Sequence, residues 1–186
     1  MPVGTIHTIG HSTRPIGELI ALLQANQITQ LVDIRTVPRS RHNPQFEQEA
    51  LAASLRDAGI TYQHLKALGG LRPARKESTN HGWRNQSFRN YADYMQTGEF
   101  REGIDALLAI AEQGRTAIMC AEAVPWRCHR SLVGDALLAR GVEVLDIIAG
   151  PEPRPHKLTS FAVVNGQDVT YPVAQEELPG GIDNRP

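Results

Sequence analysis

The stretch that decides the fold reads TAIMCAEAVPWRCHR and spans residues 116–130. Its first part, Thr116–Met119, is a short apolar run of the kind that forms a buried strand, and the apolar residues after Pro125 recur with the period of a helix. A strand followed closely by a helix is typical of parallel sheets, because the helix carries the chain back to begin the next parallel strand. The stretch therefore predicts an α/β fold.

The same strand-and-helix alternation occurs repeatedly within residues 1–150, which we predict to form one α/β domain. The other four predicted strands are the short apolar runs Val3–Ile9, Leu31–Ile34, Ile60–Leu65 and Val142–Ile148. We predict a mostly parallel five-stranded sheet covered by helices, in a Rossmann-like or partial-barrel arrangement. The sequence leaves the order of the strands open.

Capping residues predict where the helices begin. Ser12 is placed to cap the first helix, and Asn43-Pro44 predicts the start of a second helix that runs to about Ala58. Ser87 is placed to cap a shorter helix further along the chain.

The pattern changes after Gly150. Residues 151–175 predict an extended linker followed by a β-hairpin, with a type I′ turn at Asn165-Gly166. Residues 176–186 are rich in glycine and proline, and we expect them to form a disordered tail.

Composition and cysteine content indicate the class of protein and its compartment. The chain has 186 residues, of which 41% are hydrophobic and 21% charged, which is typical of a globular domain. No apolar run approaches the roughly 20 residues that cross a bilayer, so we expect no membrane partner. Two cysteines do not make a disulfide framework, and we therefore expect a reducing, cytoplasmic location.

The net charge of -1 conceals an uneven distribution of charge. Residues 35–90 carry ten cations and four anions, whereas the C-terminal third is acidic. A basic middle segment indicates a surface that attracts anions. Arginines scattered over solvated faces would give the same count, so this reading needs a site to support it.

Cys120 follows the fourth predicted strand and precedes a helix. The positive N-terminus of that helix, together with Arg127 and Arg130, would favour the thiolate and lower the pKa of the thiol. We predict Cys120 to be a nucleophile or redox thiol, Glu122 and His129 to act in acid–base or orienting roles, and Arg130 to bind an anion. Burial of the cysteines as ordinary core residues is the alternative.

A metal site is a further alternative for the same segment. Cys120, Cys128 and His129 supply at most three ligands, whereas zinc takes four, so Glu122 or His11 would have to complete the shell. A redox pair formed by the two cysteines is another alternative, although their spacing exceeds that of the C-x-x-C dithiol motif. We name no metal ligand and leave the cofactor open.

A second group of polar residues follows the strand Leu31–Ile34. Asp33 and Arg35 alternate on one face of that strand, so the carboxylate can orient the guanidinium toward a phosphate or carboxylate. We predict that Arg35, Arg39 and Ser40 bind the substrate and that Asp33 positions Arg35. An internal Asp33–Arg35 ion pair with a purely structural role is the alternative.

His11 directly follows the first predicted strand and is the leading alternative base. The segment 69–87 also carries cations around an aromatic residue, Trp83. Such a segment can hold single-stranded nucleic acid by charge and stacking, although a lid or a dimer contact explains it equally well.

Four motifs occur in a characteristic order. They are Thr8-Ile-Gly-His-Ser12, Val32-Asp-Ile-Arg35 with Pro38-Arg-Ser, Leu68-Gly-Gly70, and Cys120-Ala-Glu with Cys128-His-Arg130. In this order they resemble a bacterial and archaeal family catalogued as domain of unknown function 488, over about residues 3–150. The resemblance implies an intracellular α/β protein with its site at these motifs, and it supplies no reaction or cofactor.

Together these features predict an enzyme, a thiol-dependent transferase or hydrolase, that acts on a phosphorylated or nucleotide-like anion through Cys120. The first alternative is a non-catalytic module that binds nucleic acid or nucleotides, and the second is a Cys/His metal-dependent enzyme. The sequence determines neither the substrate nor the oligomeric state, and it is compatible with a homo-oligomer.

Overall fold

The computed structural model describes residues 4–174. Its strands are β1 (Thr5–Gly10), β2 (Gln30–Asp33), β3 (Thr61–His64), β4 (Thr116–Cys120), β5 (Glu143–Ile147), β6 (Arg154–Pro155), β7 (Val163–Asn165) and β8 (Asp168–Thr170). Its helices are α1 (Ile16–Ala25), α2 (Gln48–Asp57), α3 (Gln86–Tyr94), α4 (Gly98–Ala111) and α5 (Arg130–Leu138). No helix of this part of the chain is long and apolar enough to cross a membrane.

The central sheet has six strands in the order β3-β2-β4-β1-β5-β6. The five predicted strands are all present and pair in parallel, which confirms a mostly parallel α/β sheet. The sixth strand is an addition: Arg154–Pro155 lies in the predicted linker and pairs antiparallel with β5. A two-residue edge strand that contains proline has no apolar alternation, so the sequence pattern did not reveal it.

Helices cover both faces of the sheet. On one face, Val32 and Ile118 pack against α3, α4 and α5; on the other, Leu31 and Met119 pack against α1 and α2. Neighbouring residues of a strand point to opposite faces, which is why each strand supplies both layers of the core. Two apolar layers hold the strands in place and fix the positions of the loops at the strand ends.

Three predicted helix starts are wrong. Pro15 holds the N-cap position of α1, and Ser12 lies three residues earlier, in a turn with a positive φ of 48°. Pro44–Phe46 forms a separate 3₁₀ turn, and α2 begins only at Gln48. Asn85, rather than Ser87, caps α3, since an asparagine carbonyl reaches the backbone N–H groups two and three residues further on.

The C-terminal hairpin of β7 and β8 is confirmed, with its turn one residue later than predicted. Asn165 pairs with Asp168, so the turn residues are Gly166 and Gln167. Only Gly166 has a positive φ, of 63°, which is the requirement of a type II′ turn rather than type I′. The predicted tail, residues 176–186, lies outside the described residues.

Candidate functional site

The carboxyl ends of β2, β4 and β1 lie side by side at one edge of the sheet. Gly10 is in register with Cys120, and Asp33 is in register with Met119. Two backbone hydrogen bonds join the loops beyond these strands: His11 N–H donates to the Cys120 carbonyl at 3.0 Å and Ser12 N–H donates to the Ala121 carbonyl at 2.9 Å. Loops from separate strands therefore meet, as ligand sites of parallel sheets require.

Gly10 allows the loop after β4 to fold back against β1. A Cβ at this position would lie 1.6 Å from the Glu122 carbonyl oxygen, which no side chain tolerates. The close approach places that carbonyl beside the thiol, and the Cys120 Sγ donates to it over 3.8 Å. The Glu122 side chain is exposed, so the backbone of Glu122 makes the contact with the thiol.

A cavity of about 450 Å³ opens at this edge of the sheet. Its walls include Arg35, Arg39, Cys120, Arg127, Cys128 and His129. The volume lies within the range of small-molecule sites, on the order of 300–1,000 Å³. Thiols, imidazole and guanidinium groups from three parts of the chain therefore face one space.

The two thiols are almost fully buried and interact with each other. Cys120 is 1% exposed and Cys128 is 7% exposed, and neither forms a disulfide. The Cys128 Sγ lies 3.3 Å from Nδ1 of His129, and each thiol affects the pKa of the other. Cys128, which the sequence suggested only as a metal ligand or redox partner, is thus the immediate neighbour of Cys120.

The ring of His129 is held in one orientation. Its Nε2–H donates to the Ile34 carbonyl at 2.9 Å, which leaves Nδ1 as the acceptor that faces Cys128. Burial, together with the nearby charge of Arg130, lowers the pKa of His129 to about 4, so the ring is neutral at pH 7. A Cβ at Gly70 would lie 2.5 Å from Nδ1, so glycine gives the ring its space.

Arg130 is fully buried behind the cavity wall. One terminal nitrogen donates to the Glu122 carbonyl at 3.2 Å and to the Ala123 carbonyl at 3.3 Å. Its Nε and Nη1 have no partner within residues 4–174, and no carboxylate of this part of the chain forms a salt bridge with it. Arg130, which the sequence predicts to bind an anion, is therefore a buried positive charge that has no carboxylate partner among the described residues.

The pKa of Cys120 reflects this environment. Burial raises the pKa of the thiol, whereas the hydrogen bond from Cys128 and the positive charge of Arg130 lower it. The lowering effects dominate, so the pKa of Cys120 lies below the ordinary value of a thiol. Cys128 shows the opposite change: its hydrogen bond to Cys120 and its burial raise its pKa. Of the two thiols, Cys120 is therefore the one that ionises more readily.

Asp33 and Arg35 form a buried, two-pronged ion pair. Arg35 Nε lies 2.9 Å from Asp33 Oδ1, and Arg35 Nη2 lies 2.7 Å from Asp33 Oδ2. The Tyr62 hydroxyl also donates to Asp33 Oδ2 at 2.6 Å. Tyr62 comes from the adjacent strand β3, and it was missed because the strand order was open. Asp33 thus occupies the Nε edge of the guanidinium, and the hydrogens of Nη1 and the second hydrogen of Nη2 remain for other partners.

His11 lies behind Arg35, outside the cavity wall. Its Nδ1–H donates to the Ser12 carbonyl at 2.8 Å, its Nε2 lies 3.4 Å from Arg35 Nη1, and its ring stacks on Phe46 at a centroid distance of 4.3 Å. Burial lowers the pKa of His11, and the charge of Arg35 lowers it further. A neutral imidazole with Nε2 as acceptor orients the guanidinium of Arg35.

The remaining predicted residues lie at the rim or beyond it. Arg39 and Arg127 are exposed and line the mouth of the cavity, and neither forms a salt bridge within the described residues. Ser40 is not part of the cavity wall; its backbone N–H donates to Glu47 Oε1 at 2.7 Å. The structure therefore brings most of the predicted residues to one space, with Asp33, His11 and Arg130 behind it.

The structure bears on the metal and the nucleic-acid alternatives in different ways. Residues 4–174 contain no group of three or more His, Cys, Asp or Glu side chains arranged to hold a metal ion. In the basic segment, Arg72 is engaged internally: it donates to the Gly69 carbonyl at 3.0 Å and lies 3.5 Å from the centre of the Tyr94 ring. Arg75, Lys76 and Arg84 remain exposed.

Fold and site define an α/β protein with a thiol-and-arginine cavity at the carboxyl edge of a parallel sheet. The family model described as Domain of unknown function DUF488 matches residues 15–137, and the chain belongs to that family. The matched range includes Arg35, Cys120 and His129 and begins after His11. No curated protein and no solved structure matches the chain.

Proposed function

We propose that this protein is a thiol-dependent enzyme, a transferase or hydrolase, that acts on a phosphorylated or nucleotide-like anion. Cys120 is the nucleophile, and Arg35 and Arg39 contact the anionic group of the substrate. The observation that carries the proposal is the position of Arg130, a fully buried guanidinium beside Cys120 that has no carboxylate partner within residues 4–174.

A buried charge without a counter-charge is costly, because the interior solvates it poorly. The thiol of Cys120 is the neighbouring group that can become an anion, and its ionisation gives Arg130 a counter-ion. A thiolate is the reactive form of cysteine, so the arrangement stabilises the form that attacks an electrophile. A purely structural cysteine pair has no need of a buried arginine.

The neighbours of Cys120 support the roles proposed for them. His129, held by the Ile34 carbonyl, faces the Cys128 thiol through Nδ1, and the single proton of that thiol goes either to His129 or to an ionised Cys120. His129 therefore orients the thiol pair, whereas its low pKa makes it a weak base. The Glu122 carbonyl accepts from the protonated Cys120 thiol and from Arg130, so it positions both side chains.

The cavity has the charge that an anionic substrate needs. Three arginines, Arg35, Arg39 and Arg127, line it, and Glu122 is the carboxylate on its wall among the described residues. A guanidinium donates several parallel hydrogen bonds to phosphate or carboxylate oxygens. An anion held by these groups places its electrophilic centre near the thiolate, which displaces the leaving group and forms a covalent adduct that passes to water or to an acceptor.

A free, reactive thiol also bears on where the protein works. Neither Cys120 nor Cys128 is paired in a disulfide, and a thiolate keeps its reactivity only under reducing conditions. We therefore place the enzyme in the cytoplasm.

Two small alkylating reagents of different charge test the proposal. Iodoacetate is an anion and iodoacetamide is neutral, so their rate ratio at Cys120, measured by mass spectrometry, reports the charge of the cavity. We expect Cys120 to react faster than Cys128 at neutral pH and to favour iodoacetate more strongly than the urea-unfolded chain does, by at least about tenfold. Arg39→Gln should reduce that preference without changing the rate with iodoacetamide.

Two results would contradict the proposal. One is equal, slow alkylation of both cysteines in the folded protein. The other is an iodoacetate preference that is the same in folded and unfolded chains, since the cavity would then exert no attraction on anions.

The exposed cations Arg75, Lys76 and Arg84 favour nucleic-acid binding as a second candidate function. A binder of this kind loses affinity linearly in a log–log plot against salt, with a slope set by the number of phosphate contacts. Titration of single-stranded RNA and DNA at low salt measures this directly. The absence of binding under those conditions would remove this candidate.

A further inference from the structure

A second cavity, of about 670 Å³, lies on the other side of the turn Pro125–Arg127. It shares no wall residue with the thiol cavity, although the two are adjacent: Arg127 lines the first and Trp126 lines the second. Its walls are mainly apolar and include Trp83, Trp126 and Pro155. Nothing in the proposed thiol chemistry uses this space.

Two tryptophans of different exposure face this cavity. Trp83 is fixed by its contacts with Phe88 and Phe161, at centroid distances of 4.9 and 4.8 Å. Trp126 is 61% exposed, an unusual state for the largest apolar side chain. An exposed indole at the edge of an apolar cavity offers a flat surface for an aromatic ligand.

The rim of the cavity is positively charged. Arg154 and Lys157 are exposed on its wall, and neither forms a salt bridge within residues 4–174. These cations, next to an indole, complement a ligand that joins an aromatic ring to an anionic group.

The two acidic groups beneath the cavity are hydrogen-bonded and share one positive charge. Asp146 accepts from Thr8 at 2.5 Å and lies 2.9 Å from His156 Nδ1, and Asp135 lies 3.0 Å from His156 Nε2. Burial lowers the pKa of His156, but its bonds to the two aspartates raise it to about 9, so the ring carries a positive charge at pH 7. The carboxylates of the floor are thus fully hydrogen-bonded and share one positive charge, so among the described residues the free cations of this cavity are those at its rim.

We propose that this second cavity binds a nucleotide, with the base stacked on Trp126 and the phosphate held by Arg154 and Lys157. Charge and shape together select this ligand class over a neutral aromatic compound or inorganic phosphate alone. The site is separate from the thiol cavity, so the proposal does not depend on the chemistry of Cys120.

Tryptophan fluorescence tests the proposal directly, because the chain has two tryptophans and both line this cavity. The four ribonucleoside monophosphates are titrated separately into the full-length protein, with the corresponding nucleosides and inorganic phosphate as comparisons. We expect a saturable change in emission with at least one monophosphate, weaker binding of its nucleoside, and no change with phosphate alone.

Variants measured by calorimetry assign the binding to this cavity. Trp126→Ala should weaken the affinity at least about tenfold, whereas Trp126→Phe, which keeps a stacking surface, should restore most of it. The double variant Arg154→Gln with Lys157→Gln should weaken binding and reduce its dependence on salt. Cys120→Ser should leave the affinity unchanged, which separates this site from the proposed thiol chemistry.

Three results would overturn the proposal. The first is no saturable signal with any monophosphate up to about 10 mM. The second is undiminished affinity in Trp126→Ala. The third is loss of binding in Cys120→Ser, which would assign the nucleotide to the thiol cavity instead.

Discussion

Arg130 and His156 are two buried cations that adjoin the same helix, α5, in opposite surroundings. His156 lies between Asp135 and Asp146, and hydrogen bonds from Tyr171, Thr8 and the Thr159 backbone satisfy the remaining carboxylate oxygens. Arg130, at the first turn of α5, contacts only two backbone carbonyls and has unpartnered Nε and Nη1 groups within residues 4–174.

The difference distinguishes a structural network from a functional one. Folded proteins satisfy nearly all buried polar groups, and the exceptions concentrate where a site is used. The His156 network ties the segment after β6 to the core, and its one cation has a carboxylate at each ring nitrogen. Among the described residues, Arg130 has no carboxylate partner, and this is why we propose that it acts as the counter-ion of an ionised Cys120.

The largest expected effect is a loss of stability when the hydrogen-bond network around His156 is broken. Asp135→Asn removes one negative charge from beside His156 and replaces a carboxylate that accepts from three donors, so we expect the free energy of unfolding to fall by about 3–5 kcal/mol. Denaturant titration measures it.

Asp168→Asn is the matched control for that variant. Asp168 forms an exposed ion pair with Arg101 at 3.3 Å, and its loss should cost less than about 1 kcal/mol. Equal losses in the two variants would show that the buried network adds no special stability.

The next effect is a dependence of stability on pH. The pKa of His156 rises from 6.5 to about 9 on folding, so the folded state holds the proton more tightly. The resulting stabilisation, about 3 kcal/mol, is complete below the unfolded pKa and is lost as the pH rises through 9. Denaturant titrations of wild type and His156→Asn on either side of this range measure the effect. If both chains show the same pH dependence, His156 is not the titrating group.

The smallest expected change in the free energy of unfolding follows the replacement of Arg130. Arg130→Met should slow alkylation of Cys120 by iodoacetamide at neutral pH by at least about tenfold, because the thiolate loses its counter-ion. The free energy of unfolding should change little, since an apolar side chain of similar size replaces an unpaired buried charge. A large loss of stability with unchanged alkylation would reverse the roles assigned to the two cations.

Local patterns predicted much of the fold. Apolar runs and helical periodicity predicted the five parallel strands, because burial in a covered sheet imposes those patterns on each segment. The strand order and the short β6 depend on contacts between distant segments, and no local pattern encodes them.

The site divides in the same way. The rule that ligands bind beyond strand ends brought Arg35, Cys120 and His129 together correctly. The same rule could not predict the hydrogen bond from Tyr62 to Asp33 or the complete burial of Arg130. Both depend on which strands are neighbours in the sheet.

The central claim is that Arg130 stabilises the thiolate of Cys120. Ultraviolet thiolate absorbance, followed against pH in the wild type, Cys120→Ser and Arg130→Met, tests it most directly. We predict that the wild type shows an ionisation below the ordinary thiol pKa, that Cys120→Ser lacks it, and that Arg130→Met shifts it to higher pH. An ionisation of Cys120 at or above the ordinary value, unmoved by Arg130→Met, would contradict the claim.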